Sequence, residues 1–141
     1  MSKGIEAIIE AGLKTLIETQ LTADEITGVR VDTITNGIVE DEMVKPFIWV
    51  GCAPVEHLGA SNHQWTGQVE VRIRTAHLTG KDRDAATLVE LLASVGYALD
   101  FGSVPTSGGI NSIAIRRLQG EWEFADSTNG VNIPVEIIRA C

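Results

Sequence analysis

The side chains that could do chemistry in this sequence are few, and three of them gather in one segment. Glu56, His57 and His63 fall in a polar stretch between residues 53 and 64, and a third histidine, His77, lies further on. A glutamate beside a histidine can act as an acid–base pair, and neighbouring histidines can bind a metal ion. However, no H-E-x-x-H spacing occurs, and no nucleophile stands near Glu56. We therefore favour solvated loop histidines and predict no metal site and no cofactor.

Two other patterns invite a chemical interpretation. Ser107-Gly108-Gly109 is as glycine-rich as a phosphate-binding loop, but no Lys-Ser or Lys-Thr follows, and the next predicted element is a strand. The two cysteines are Cys52 and Cys141, and no C-x-x-C motif is present. We expect a buried free thiol at Cys52 and no disulfide, as is usual in a reducing compartment. The sequence therefore predicts a protein that is not an enzyme.

The most regular polar pattern is a row of charges. Residues 65–75 alternate strictly, and Glu70, Arg72 and Arg74 share one face of the predicted strand. A solvated sheet face is the simpler interpretation. A row of charges can also pair a subunit with a copy of itself. In that case, reversing the charges of Arg72 and Arg74 should impair assembly and leave the fold intact.

Two further charged clusters are candidates for the same contact. The densest acidic cluster is Glu40, Asp41 and Glu42, and the basic pair is Arg116-Arg117. The simpler interpretation puts one arginine on each sheet face, with one of them in a salt bridge. The alternative is a contact between subunits that joins the basic pair to the acidic cluster. The predicted interface residues are thus Glu40, Asp41, Glu42, Glu70, Arg72, Arg74, Arg116 and Arg117.

Two amphipathic helices and several strands must position these residues. Apolar residues at helical spacing predict helices over residues 2–20 and 81–99. The expected buried stripes are Ile5, Ile8, Ile9, Leu13, Leu16 and Ile17 in the first helix, and Ala85, Leu88, Val89, Leu92, Val95 and Leu99 in the second. Gly12 could allow a close approach to the first helix.

The strands are predicted from alternation and from apolar runs. They cover residues 29–35, 47–52, 65–76, 110–118 with a continuation at 121–124, and 131–137, and a loop is predicted over 53–64. Pro134 suggests an edge position for the last strand, because proline has no N–H to donate. This order predicts one α+β domain over residues 1–141. Its mostly antiparallel sheet should have about four to five strands, with both helices packed on one face.

Composition bounds the class of protein. With 141 residues and 44% hydrophobic content, the chain can bury a core. No apolar run approaches the roughly 20 residues that cross a bilayer, so we expect no membrane partner. No secretory signal is evident, and we expect synthesis in the cytoplasm. A net charge of −8 argues against tight wrapping of nucleic acid but suits a wall past which DNA slides.

Several stretches resemble those of a known family. They are Pro-Phe-Ile-Trp-Val-Gly at 46–51, Trp-Thr-Gly-Gln-Val-Glu-Val-Arg-Ile-Arg-Thr at 65–75, Gly-Lys-Asp-Arg-Asp-Ala-Ala at 80–86, and Val-Gly-Tyr-Ala-Leu at 95–99. Taken in this order after an N-terminal helix, they resemble the tail-terminator or tail-completion proteins of long-tailed bacteriophages. The resemblance covers residues 5–99, and no match exists for the 40–42 cluster or the 53–64 loop.

The resemblance implies a structural role in the virion. Such a protein forms a ring, usually a hexamer, that caps the tail tube and joins it to the head–neck connector. It ends tube polymerisation and lets DNA pass through its lumen without specific binding. Two alternatives stay open from the sequence: a head–tail joining or tail-tube protein of the same virion, and a small ligand-binding or enzymatic domain with its site in the 53–64 loop.

Overall fold

The computed structural model describes residues 4–34, 46–58, 64–76, 83–125 and 128–141. Over these ranges the chain forms two helices and seven strands. In order, they are α1 (Ile5–Ala23), β1 (Arg30–Thr33), β2 (Phe47–Cys52), β3 (Glu56–Leu58), β4 (Gln64–Ala76), α2 (Arg83–Phe101), β5 (Ile113–Arg117), β6 (Glu121–Ala125) and β7 (Thr128–Ala140).

All seven strands belong to one sheet built around the long strands β4 and β7. These two pair antiparallel along nearly their whole length, from Trp65–Ala140 to Ala76–Thr128. On the other edge of β4 lie β2 and then β1, with the short β3 also paired to β4. On the other edge of β7 lie β5 and β6, end to end. Only β1, which runs parallel to β2, departs from the antiparallel pattern of the described strands.

Both helices pack on one face of this sheet, and the core fills the space between them. The α1 stripe predicted from the sequence is confirmed, with Ile9, Leu13 and Ile17 fully buried. From the sheet side, Val69, Val71 and Ile73 of β4 complete the core, because alternate residues of the strand point to the helices. Burial of each such side chain contributes about 1.5–3 kcal/mol. The predicted α+β class is therefore confirmed, with seven strands where about four to five were expected.

A segment beyond α2 passes close to α1 at Gly12. A β-carbon at position 12 would overlap the carbonyl oxygen of Pro105 and the Val104 side chain. The close approach that this glycine suggested is confirmed, and Val104 joins the core as a result.

Two local predictions were wrong. The predicted 53–64 loop contains β3, which pairs with β4 through Glu56–Thr66 and Leu58–Gln64. In α2, Val89 is 57% exposed, whereas Leu91 and Ala98 are fully buried. The α2 sequence is apolar over much of its circumference, so spacing alone did not identify which stripe faces the sheet.

Pro134 lies in a central strand, so its predicted edge position was wrong. It pairs with Glu70 of β4, and its carbonyl accepts a hydrogen bond from Leu118 N at 2.9 Å. Within a strand, the nitrogen and oxygen of a residue point to the same side. The proline nitrogen therefore faces the break between β5 and β6, where the absence of an N–H leaves no ladder partner unsatisfied.

Candidate assembly surface

The sheet face turned away from the helices, which we call the far face, carries the predicted row of charges. Glu70 and Arg72 form a bidentate pair along β4, with Arg72 Nε 2.9 Å from Glu70 Oε1. The Arg72 guanidinium also lies 4.6 Å from the ring centroid of Trp49 on β2. Both side chains stay about one-third exposed, so their pair holds a defined charge pattern on the surface.

Arg74 has a different environment, and its predicted place on a wet face was wrong. It is 5% exposed and donates to Asn132 Oδ1 at 2.7 Å, to Glu123 Oε2 at 3.1 Å and to the Val131 carbonyl at 3.3 Å. Gly130 stands opposite Arg74, and a β-carbon there would lie 2.8 Å from Arg74 Nη1. The guanidinium thus crosses β7 through the space that this glycine leaves, and it ties β4 to β6.

The same cluster alters the acidity of Glu123. A hydrogen bond from Asn132 and the charge of Arg74 lower the pKa of Glu123 below its ordinary value. Because Arg74 and Glu123 are committed to each other within one chain, reversal of Arg74 should disturb the fold. From the sequence we expected charge reversal at this position to leave the fold intact. The structure instead predicts that reversal of Arg74 destabilises the monomer.

The two consecutive arginines lie on opposite sheet faces, as their alternation predicted. Arg116 pairs with Glu136 at 3.1 Å, and Arg117 pairs with Asp100 of α2 at 2.7 Å. Both arginines thus have partners inside the chain, whereas the simpler interpretation expected one. Glu40, Asp41 and Glu42, the proposed partners of this basic pair in another subunit, lie outside the described residues.

Two glutamates of α1 accept hydrogen bonds from backbone N–H groups at the end of β2 and just after it. Glu10 is buried and accepts from Cys52 N at 2.8 Å, and Glu6 accepts from Val55 N at 3.0 Å. Burial, reinforced by these two carboxylates, raises the pKa of the Cys52 thiol to about 12. The expected free thiol at Cys52 is confirmed, and its protonated state makes it a poor nucleophile.

The structure describes two of the three candidates for chemistry in the 53–64 segment. Glu56 and His57 lie on the exposed strand β3, where the His57 ring is 4.9 Å from the ring of Trp65, and His63 lies outside the described residues. Over the described ranges, no group of three or more His, Cys, Asp or Glu side chains could hold a metal ion. Neither described helix combines the length and apolar content needed to cross a membrane.

Exposed aromatic residues form two pairs on the described surface. On β6, Trp122 and Phe124 are 55% and 65% exposed, with their rings stacked 6.0 Å apart. On α2, the exposed rings of Tyr97 and Phe101 lie 5.1 Å apart. In the sequence, the two members of each pair are spaced so that they share a face, i and i+2 in the strand and i and i+4 in the helix. Burial could not be inferred from this spacing, because it also describes core residues.

The described surface also contains grooves, two of which adjoin candidate interface residues or exposed rings. One, of about 580 Å³, lies between the end of α1 and the outer side of α2. The other, of about 410 Å³, lies on the far face beside Trp49, Glu70 and Pro134. In the first groove, hydrogen bonds from Ser94 and Gln20 lower the pKa of Asp24, which is therefore an anion at neutral pH.

The fold is of the α+β class, with two helices on one face of a mostly antiparallel sheet. No family model and no curated protein matches this sequence. A solved structure described as the virion of a native gene transfer agent particle contains a chain of similar fold, with a TM-score of 0.63 and 14% identity. The similarity covers 99% of this chain and 98% of that chain. It shows a shared fold over the full length of both.

Proposed function

We propose that this chain is a structural protein of a phage-like virion, and that it acts by assembling with copies of itself. The observation that carries the proposal is the end-to-end fold similarity to a chain of a gene transfer agent virion. The similarity extends over 99% of this chain and 98% of that chain. The resemblance of residues 46–51 and 65–75 to tail-terminator proteins points to the same class.

In its finer form, the proposal is a tail-terminator or tail-completion ring, usually six copies, in the tail or neck. The ring caps the tail tube and offers a new surface to the head–tail connector, so tube polymerisation ends there. DNA passes through the lumen without specific binding, and a net charge of −8 keeps the phosphates from adhering. A head-to-tail interface that closes on itself yields such a ring.

The exposed aromatics supply the affinity that a ring or tube contact needs. Trp122 and Phe124 are exposed side by side on β6, at the edge of the sheet, and Glu123 between them is held by Arg74 and Asn132. Large aromatic side chains dominate the binding energy of protein interfaces, and fixing them in advance lowers the entropy that binding costs.

A capping assay tests this role. Tail tubes grown from the cognate tube protein should stop elongating when the purified chain is added. The double variant Trp122→Ala/Phe124→Ala should fold normally, because both side chains are exposed, and should cap at least about tenfold less well. Leu58→Ala, another exposed apolar change, is the matched control and should cap like the wild type.

The same assay separates the alternatives. A tail-tube protein would itself polymerise and extend the tubes. A head–tail joining protein would leave tube growth unchanged and bind the portal end of filled heads. Folded protein that binds neither tubes nor heads would overturn the structural role and favour a small binding domain or enzyme.

A further inference from the structure

The end of β7 contains a bulge that turns two consecutive side chains outward. Trp65 pairs with Ala140 and Gly67 with Ile137, so Ile138 and Arg139 both stand opposite the single residue Thr66. The Thr66 hydroxyl donates to the Ile137 carbonyl at 2.7 Å and fixes this geometry. A bulge of this kind re-aims side chains. Here it exposes an isoleucine, 50% accessible, beside an exposed arginine.

Arg139 also differs from the other arginines. Among the arginines whose side chains are described, five form ion pairs: Arg30, Arg72, Arg74, Arg116 and Arg117. Arg139 has no carboxylate within ion-pair distance over the described ranges. The bulge therefore presents an apolar side chain and an uncommitted cation together, in a chain whose net charge is −8.

The groove between the end of α1 and the outer side of α2 combines apolar surface with negative charge, which complements the isoleucine and arginine of the bulge. Ile26, Ala93 and Tyr97 line it with apolar surface, and Tyr97 extends that surface through its contact with Phe101. Glu90 is exposed at the groove and has no cation within ion-pair distance in the described part of the chain. The Asp24 carboxylate beside it accepts from Gln20 and Ser94 and adds a second negative charge.

We propose that the Ile138–Arg139 bulge of one copy docks in this groove of a second copy. Arg139 pairs with Glu90, and Ile138 packs against Ala93 and Tyr97. The two surfaces differ, so each copy offers one and receives the other, which is the head-to-tail contact that closes rings. This inference rests on the proposed self-assembly and names the residues through which neighbouring copies join.

A charge exchange tests the contact. Arg139→Glu and Glu90→Arg should each weaken self-association by about tenfold in sedimentation velocity, because each places like charges together. The double variant Arg139→Glu/Glu90→Arg restores opposite charges and should recover most of the loss. Glu18→Arg changes another exposed helical glutamate outside the groove and should associate like the wild type.

A disulfide trap locates the contact independently. In a Cys141→Ser background, Ala93→Cys and Ile138→Cys are made in separate preparations and then mixed under mild oxidant. A disulfide-linked dimer should form rapidly in the mixture and slowly in either preparation alone. Glu18→Cys mixed with Ile138→Cys is the control and should give little product.

The possible failures point to different conclusions. If the wild type forms rings while the charge variants associate normally and the trap gives no dimer, this contact is wrong and the ring proposal stands. If the double variant is no better than either single variant, Arg139 and Glu90 do not pair. If the wild type stays monomeric at all concentrations and on tail tubes, both the contact and the proposed function are wrong.

Discussion

Arg72 and Arg74 stand two residues apart on the same face of β4, yet their surroundings differ. Arg72 is about one-third exposed and pairs with Glu70 of its own strand, whereas Arg74 is buried across β7 beside Glu123 and Asn132. Alternation in the sequence gave both residues the same face. It could not give their burial, because the burial of Arg74 depends on residues far along the chain: Glu123 of β6 is 49 residues away and Asn132 is 58.

Charge reversal at these two positions should therefore have unequal effects on stability. Arg74→Glu puts a buried carboxylate next to Glu123 and should lower the free energy of unfolding by about 3–5 kcal/mol. Arg72→Glu, the matched control, should cost about 1 kcal/mol or less, because a partly exposed pair contributes little. Urea unfolding followed by tryptophan fluorescence measures both. Equal losses would contradict the buried network.

The thiols of Cys52 and Cys141 should differ in reactivity. Cys52 is buried with its pKa raised to about 12, while Cys141 is partly exposed. At pH 8 a thiol reagent should modify Cys141 within minutes and Cys52 only as the protein unfolds, since the thiolate is the reactive form. A Cys141→Ser variant isolates Cys52. Fast labelling of that variant would show that the Glu10–Cys52 region is open.

Among the helices and strands, the long segments with a regular apolar pattern were predictable. The short strand β3 and the buried side of α2, a helix with apolar residues on more than one side, were not. The α1 stripe and strand β4 follow from spacing, because each buries a face that repeats regularly, whereas β2 follows from its unbroken apolar run. The strand β3 was missed because three exposed residues leave no hydrophobic pattern, and it exists only through pairing with β4. The buried side of α2 was misassigned at Val89, because apolar residues also occupy its outer side.

The β6–β7 hairpin should lose stability in acid through Glu123. Its pKa is lower in the folded chain than its ordinary value of 4.5, so the unfolded chain binds the proton more readily. The stabilisation is present above pH 4.5 and is lost as the pH falls through the folded-state pKa. In Glu123→Gln, the melting temperature should therefore fall less between pH 5 and pH 3 than in the wild type. If the melting temperatures of the two proteins fall equally over this pH range, Glu123 does not contribute to the loss of stability in acid.

For the whole molecule, the class of fold was predictable from the order of its elements. The order of predicted helices and strands indicated the α+β class, which the structure confirms, and a chain of a gene transfer agent virion shares this fold at 14% identity. The interface residues named from the sequence stay a prediction. Arg74, Arg116 and Arg117 have partners inside the chain, while exposed rings and a β-bulge carry the surface that remains available.

Native mass spectrometry of the purified chain, with and without tail tubes, tests self-association most directly. We predict a closed ring of a single copy number, formed either in free solution at high concentration or at tube ends. Chain that stays monomeric at every concentration and leaves tubes uncapped would contradict it.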